Sequence, residues 1–281
     1  MPSTARLVAL VTALTLSSWA RRSVGDSPPP LTAAAAAPAA AAGFALPDLR
    51  VRDRVGARIG VGYAELLGPD GAERSGFTLL VIEPFARFAV APSLELYGSV
   101  PVTWTDGASS RSGGELANLT GGVLYAPGDL AAGAELSVNV GHAPAAHAAL
   151  ERFDLDHFAD DTVGLRLHAD VERRAGKLRL SGQLAVMVLA SEAEIGTLLR
   201  IGGGAGLALP RGWTAVAEYL VLTDALDDRF AGDDYLQLLN VGARCTVGHG
   251  RGTVGLHVSL PLDPIGNEDG VGASVDVGGD F

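Results

Sequence analysis

Charged side chains in this chain recur at alternate positions. Arg166, His168, Asp170 and Glu172 follow one another in this way, as do Lys177 and Arg179. Across the sequence, Arg58, Arg87, Arg166, Lys177, Arg179, Arg200 and Arg244 are matched by Glu83, Glu95, Glu135, Asp170, Glu172, Glu218 and Asp276. Gathered on one wall, such groups can form a constriction that selects charged solutes, as charged rings do in pores. They can also neutralise one another in a network of ion pairs. The near balance of the two signs favours the network and argues against strong ion selectivity. His257 and Ser259, two positions apart, place a base and a hydroxyl on one side of a single segment, the minimum for nucleophilic catalysis. Two acidic stretches, "ERFDLDHFADD" (151–161) and "DALDDRFAGDD" (224–234), each gather five carboxylates with an Arg and one or two Phe. Clustered carboxylate oxygens suit hard cations such as Ca²⁺, but neither stretch has the spacing of a calcium loop. The plainer reading is a solvated acidic rim that attracts cations modestly.

The elements that position these groups are strands. From residue 55 onward, apolar residues alternate with polar or small ones, the period of a chain whose side chains point to opposite faces. Val55, Ala57, Ile59, Val61 and Tyr63 share one face; so do Leu94, Leu96, Val100, Val102 and Trp104, and later Val254, Leu256, Val258, Leu260 and Leu262. About twelve such segments follow one another to the end of the chain. The charged residues above, with His168 and His257, fall on the second face. Connections after even-numbered segments are tight ("APS", "PGD", "RAG", "PRG", "GHGR"), and those after odd ones are mostly longer. Twelve is even, and short turns at one end with long loops at the other match an up-and-down antiparallel barrel of the membrane-spanning kind.

A soluble sandwich would show the same alternation with its apolar face turned inward. Aromatics decide for the membrane. Phe88, Tyr125, Trp213 and Phe281 fall at the turn end, and Tyr63, Trp104 and Tyr235 at the loop end, as two sparse interfacial girdles. Tyr219 sits between them. Pro84 and Pro101 each remove a ladder hydrogen bond, and a bulge is expected at Pro84. "GGGAG" (202–206) lacks the spacing of a dinucleotide fingerprint and no helix follows it; small residues at a crowded wall explain it.

Composition sets further bounds. A net charge of −11 gives no footprint for nucleic acid. The one cysteine, Cys245, reads as a small apolar strand residue without metal-binding neighbours. Residues 1–20 have the layout of a secretory signal, with Arg6, an apolar stretch from Leu7 to Leu16, and small residues up to Ala20. Residues 21–50 are Ala/Pro-rich and read as a linker, leaving residues 51–281 for the barrel.

The last dozen residues, "GVGASVDVGGDF", put Val271, Ala273, Val275, Val277 and the final Phe281 on one side. This resembles the C-terminal strand of bacterial outer-membrane β-barrels. The resemblance implies a strand read by the machinery that inserts barrels into the outer membrane of a Gram-negative bacterium. "EPFARFAVAPSLELYGSVPVTW" and "GELANLTGGVLYAPG" resemble outer-membrane transporters grouped with phenol meta-pathway barrels, although Glu115 and Asn118 stand in place of that group's Gly-Asp arrangement. His257 and Ser259 resemble the pair in membrane-embedded lipid hydrolases, but those enzymes carry it on the lipid face, whereas here both point to the lumen.

The expected protein is therefore an all-β, twelve-stranded outer-membrane barrel in contact with lipid, without cofactor or catalytic activity. Its expected role is passage of a small solute along a lumen lined by Arg58, Glu83, Arg87, Glu95, Glu135, Arg166, His168, Asp170, Glu172, Arg179, Arg200, Glu218, Arg244, His257 and Asp276. Two rivals stay open: a lumen-closed barrel binding partners or divalent cations through its acidic loops, and a lipid-modifying enzyme.

Overall fold

The computed structural model describes residues 45–46, 48–67, 74–107, 113–140, 162–190, 195–224, 235–262 and 270–281. Fourteen strands occur among them: β1 (Arg54–Leu67), β2 (Arg74–Ala91), β3 (Leu94–Ser99), β4 (Val102–Gly107), β5 (Gly113–Leu116), β6 (Leu119–Tyr125), β7 (Leu130–Val138), β8 (Val163–Ala175), β9 (Leu178–Ala190), β10 (Ile195–Ala208), β11 (Trp213–Asp224), β12 (Tyr235–Val247), β13 (Gly252–Pro261) and β14 (Gly270–Asp280). They make twelve passes, because β3 and β4 both pair with β2 while their other edges pair with β6 and β5 respectively. Every pairing is antiparallel. The ring closes on β1, whose residues 54–64 pair with β14 on one side and β2 on the other.

The interruption between β3 and β4 falls at Val100–Pro101. Proline has no N–H for the ladder, and the break is bridged by single hydrogen bonds, Val100 N–H to the Pro84 carbonyl (3.1 Å) and Ala117 N–H to the Pro101 carbonyl (2.9 Å). The bulge expected at Pro84 is not there. β2 keeps its register with β1 straight through Ala57↔Pro84, and its irregularity lies at Ala89/Ala91, beside the turn. Pro84 is accommodated because the partner strand is the one that yields.

The outer face is apolar and the inner face largely polar. Val61, Leu167, Leu184, Val241, Leu256 and Val277 are among the exposed large hydrophobics, while Glu95, Glu135, Asp170, Arg179, Glu218 and Asp276 are buried. That is the reverse of a water-soluble fold, and it is what lipid outside and a filled lumen inside require. Phe88, Tyr125, Trp213 and Phe281 are exposed at the turn end, where the Phe88 and Phe281 rings meet edge to face with centroids 6.3 Å apart. Tyr63 and Trp104 are exposed near the opposite end; the Tyr235 side chain lies outside the described residues.

The five tight connections, residues 92–93, 126–129, 176–177, 209–212 and 248–251, all lie at the end where β1 starts and β14 finishes. Gly176 turns the β8–β9 hairpin with a φ of 59° that other residues adopt at a cost. Arg211, with φ 63°, is the one non-glycine among the described residues to take that conformation. Lys177, expected on the inner face, is exposed in the β8–β9 turn. The longer connections at the other end, including both acidic stretches almost entirely, lie outside the described residues.

Leu256 lies between Ala243 and Val275 in the middle of the belt and is 58% exposed. A guanidinium at the bilayer midplane costs a barrel about 2–4 kcal/mol. Leu256→Arg should lower unfolding stability in lipid vesicles by that amount, measured by denaturant titration, whereas Leu256→Val should leave it nearly unchanged.

Candidate functional site

Inward-facing residues build the candidate site. Arg58 meets Glu83 at 3.2 Å, Arg87 meets Glu95 at 2.5 Å, Arg166 meets Glu135 at 2.6 Å and Arg244 meets Asp276 at 3.1 Å. Glu172 holds Arg179 at 2.9 Å and Arg174 at 2.7 Å. His168 Nδ1 lies 2.6 Å from Asp170, whose other oxygen accepts a hydrogen bond from Gln183 Nε2 at 2.8 Å. Tyr97, which periodicity assigned to no role, brings its hydroxyl to 3.4 Å from His168 Nε2. Arg58 and Glu83, and Arg166 and Glu135, stand directly across neighbouring strands, so the ladder register itself puts those opposite charges side by side, while Arg244 reaches Asp276 across Gly255 of β13. A charge withdrawn from water is tolerable only when so paired.

His257 and Ser259 both lie on this inner face, but they are not partners. The Ser274 hydroxyl touches the His257 ring at 2.9 Å, and Ser259 donates to Asn240 Oδ1 at 2.7 Å.

The composition of residues 21–50 reads as a linker, yet its described end is docked inside the barrel. Residues 45–46 lie deeper in the lumen than residues 48–53, which lie at the turn end. Asp53 is fixed there, with its carboxylate accepting from Ala89 N–H at 2.9 Å and its carbonyl accepting from Phe281 N–H at 3.3 Å. Arg52 bridges Asp280 at 2.7 Å and Asp48 at 2.5 Å, and its N–H donates to Glu95 at 3.2 Å. Arg54 donates to Thr253 and stacks over the Phe85 ring, 5.9 Å from its centroid. Asp48 also takes Arg50 Nε at 3.1 Å, and its carbonyl accepts from Arg87 Nη2 at 2.9 Å. Leu49 packs on Leu124, Ala126 and Ala131 at the turn end.

Deeper in, the Leu46 side chain occupies an apolar sector of the lumen. It packs on Met187, Leu220, Leu222 and Leu238, in the loop-side halves of β9, β11 and β12. Gly202 and Gly204 give it room: a Cβ at Gly202 would stand 2.7 Å from Leu46 Cδ2, and one at Gly204 3.0 Å from Cδ1. Gly202 and Gly204 therefore serve a crowded wall, and the crowding comes from the segment together with the wall's own Ser181, Glu218 and Leu220. Glu218 accepts from both Ala45 N–H (2.7 Å) and Leu46 N–H (3.2 Å), while Arg200 Nη2 reaches the Ala45 carbonyl at 3.5 Å. Two expected lumen charges thus hold backbone rather than each other. Burying a leucine side chain contributes about 1.5–3 kcal/mol, and a hydrogen bond to a charged acceptor about as much.

Burial would raise the Asp48 carboxyl, but the guanidinium groups of Arg50, Arg52 and Arg87 outweigh it and hold the acid well below the usual carboxylate range. A depressed carboxyl stabilises the folded state above its unfolded value near 3.9, and the contribution is lost as pH falls through the folded value. Amide exchange at Arg50, whose N–H donates to the Asp48 carboxylate at 3.2 Å, should therefore show the same protection factor from pH 7 to about pH 4.5, whereas Asp48→Asn should weaken it at every pH. Glu218→Gln removes the charge from two hydrogen bonds, and exchange at Ala45 and Leu46 should speed up about tenfold.

No protein-family model matches the chain, and no curated protein matches it in sequence. Solved structures do match in fold. The COG4313 outer membrane channel from Pseudomonas putida F1 superposes with a TM-score of 0.57 at 12% identity, covering 86% of this chain and 99% of that one. The translocator domain of the autotransporter NalP from Neisseria meningitidis gives 0.52 at 13% identity, over 82% and 89%. The CymD monoaromatic hydrocarbon channel gives 0.51 at 9% identity, over 83% and 89%. These likenesses, with the closed ring and its apolar belt, show the fold expected from sequence: a twelve-stranded outer-membrane β-barrel.

Proposed function

We propose that this chain is a passive channel for a small solute in the outer membrane of a Gram-negative bacterium, and that residues 45–53 obstruct its lumen. The observation that carries this reading is what fills the lumen. A barrel of this strand number has more interior than an eight-stranded one, which its own side chains fill. Here part of that interior is taken by a stretch of chain that belongs to no strand, held to the barrel by eight polar contacts and two leucines among its described residues. Balanced charge along the wall suits a solute without strong net charge, and the apolar sector around Met187, Leu220, Leu222 and Leu238 suits one with apolar surface. Two of the similar structures are named as channels, one of them for monoaromatic hydrocarbons. Export would use residues 1–20, and assembly would use the strand bearing Val271, Ala273, Val275, Val277 and Phe281.

The test is conductance of the refolded chain in a planar bilayer, with reversal potential in a KCl gradient. The native protein should give small discrete steps with weak cation preference, set by the acidic loops. A variant with residues 45–50 replaced by Gly and Ser should give steps several-fold larger. A folded barrel silent in both forms would overturn the channel reading and favour the closed barrel that works through its loops.

A further inference from the structure

We infer that the seat occupied by Leu46 is the solute's own binding site, and that the segment holds it as an internal surrogate until a small amphiphilic molecule displaces it. The inference rests on the channel reading and specifies its ligand. What Leu46 and Ala45 present to the wall is a compact set of groups. An isobutyl side chain fills the space between Met187, Leu220, Leu222 and Leu238. Two N–H donors engage the Glu218 carboxylate, and one carbonyl accepts from Arg200. A molecule able to replace them has an apolar body of about four to six carbons and a hydroxyl, which donates to Glu218 and accepts from Arg200 at once. That describes a small branched alcohol or a hydroxylated aromatic ring. A carboxylate of the same shape can accept from Arg200 but has no hydrogen to donate to Glu218, and a sugar leaves the apolar seat unfilled.

Two occupants cannot share the seat. At Gly202 and Gly204 even a single added carbon would stand 2.7 and 3.0 Å from Leu46, so a ligand enters only as Leu46 leaves. Departure of the segment alone would expose an apolar sector to water and leave the Glu218 carboxylate without its donors, both unfavourable. A ligand that repairs both losses favours the displaced state, and a ligand shifts an equilibrium by its differential affinity for the two states. Binding and opening are thereby coupled.

The probe is 3-methylbutan-1-ol, which carries the carbon skeleton of the leucine side chain; isovalerate, its acid counterpart, is the control. Calorimetric titration uses the full refolded chain in detergent, against matched empty micelles. Leu46→Ala should bind the alcohol about tenfold more tightly than the native chain, because competition by the segment lowers apparent affinity by the fraction of time the seat is free. Gly202→Leu fills the seat and should abolish binding, with folding checked by heat-modifiable migration in gels. If that variant does not fold, the native and Leu46→Ala proteins decide alone. Isovalerate should bind neither. In the bilayer, the alcohol should raise the open fraction of the native channel. Steps in the bilayer together with equal affinities for native and Leu46→Ala would overturn the seat and leave the channel standing. Tighter binding by Leu46→Ala with no conductance in any form would overturn the channel and leave the seat.

Discussion

A peptide group without a hydrogen-bond partner costs several kcal/mol in hydrocarbon, so a sheet that crosses a membrane cannot keep an edge. The rest of this molecule follows from that constraint. β1 satisfies it by pairing on both sides, from Arg54 to Ala64, with β14 and β2. Closure then fixes two environments. One face is turned outward and carries Val, Leu and Ile; the other is sealed inside and can hold Arg, Glu and Asp, provided they find one another. The antiparallel register makes the meeting easy, since Arg58 lies opposite both Glu83 and Asp276, and Glu135 opposite Arg166.

Closure also creates a volume that must be occupied. The chain enters β1 from within that volume, and the residues just before the strand lie in it. Their contacts solve different problems at different depths. Near the turn end, Asp48, Arg52, Asp53 and Asp280 settle charge. Further in, Leu46 covers apolar wall, and the backbone of Ala45 and Leu46 satisfies Glu218. Among the described residues the segment's apolar contacts fall in two separate clusters, around Leu46 and around Leu49, so its polar contacts weigh heavily in whether it stays.

The sequence carried the strands, the turns, the two faces and the girdles because lipid and the ladder impose a strict period of two on every pass. It carried the charged wall for the same reason. Residues 45–53 were illegible because a segment lying across a lumen touches a different wall at each residue. Leu46 meets β9 to β12 while Leu49 meets β6 and β7, so "ALPDLRVRD" has no period to find. The apolar sector of the lumen was hidden in "LVLTD" and "LLN", where both faces of a strand are apolar and alternation credits only the outer one. Leu220, Leu222 and Leu238 were there to be seen as surplus. The pairing of His257 with Ser274 rather than Ser259 depends on which strands are neighbours, which period alone does not give.

The space shared by Leu46, Gly202 and Gly204 has a consequence for how the sequence drifts. At Gly202 an added carbon meets Leu46 first, so what is constrained there is a summed volume; Gly204 is also kept small by Ser181 Oγ, 2.9 Å from where its Cβ would stand. A larger residue at 202 is tolerable with a smaller one at 46, and a bulkier residue at 46 requires that both glycines stay. Positions more than 150 residues apart should therefore vary together, linked through neither a ladder hydrogen bond nor a charge. Among related barrels, compensating size changes between the segment and β10 would mark the seat even where none of its residues survives.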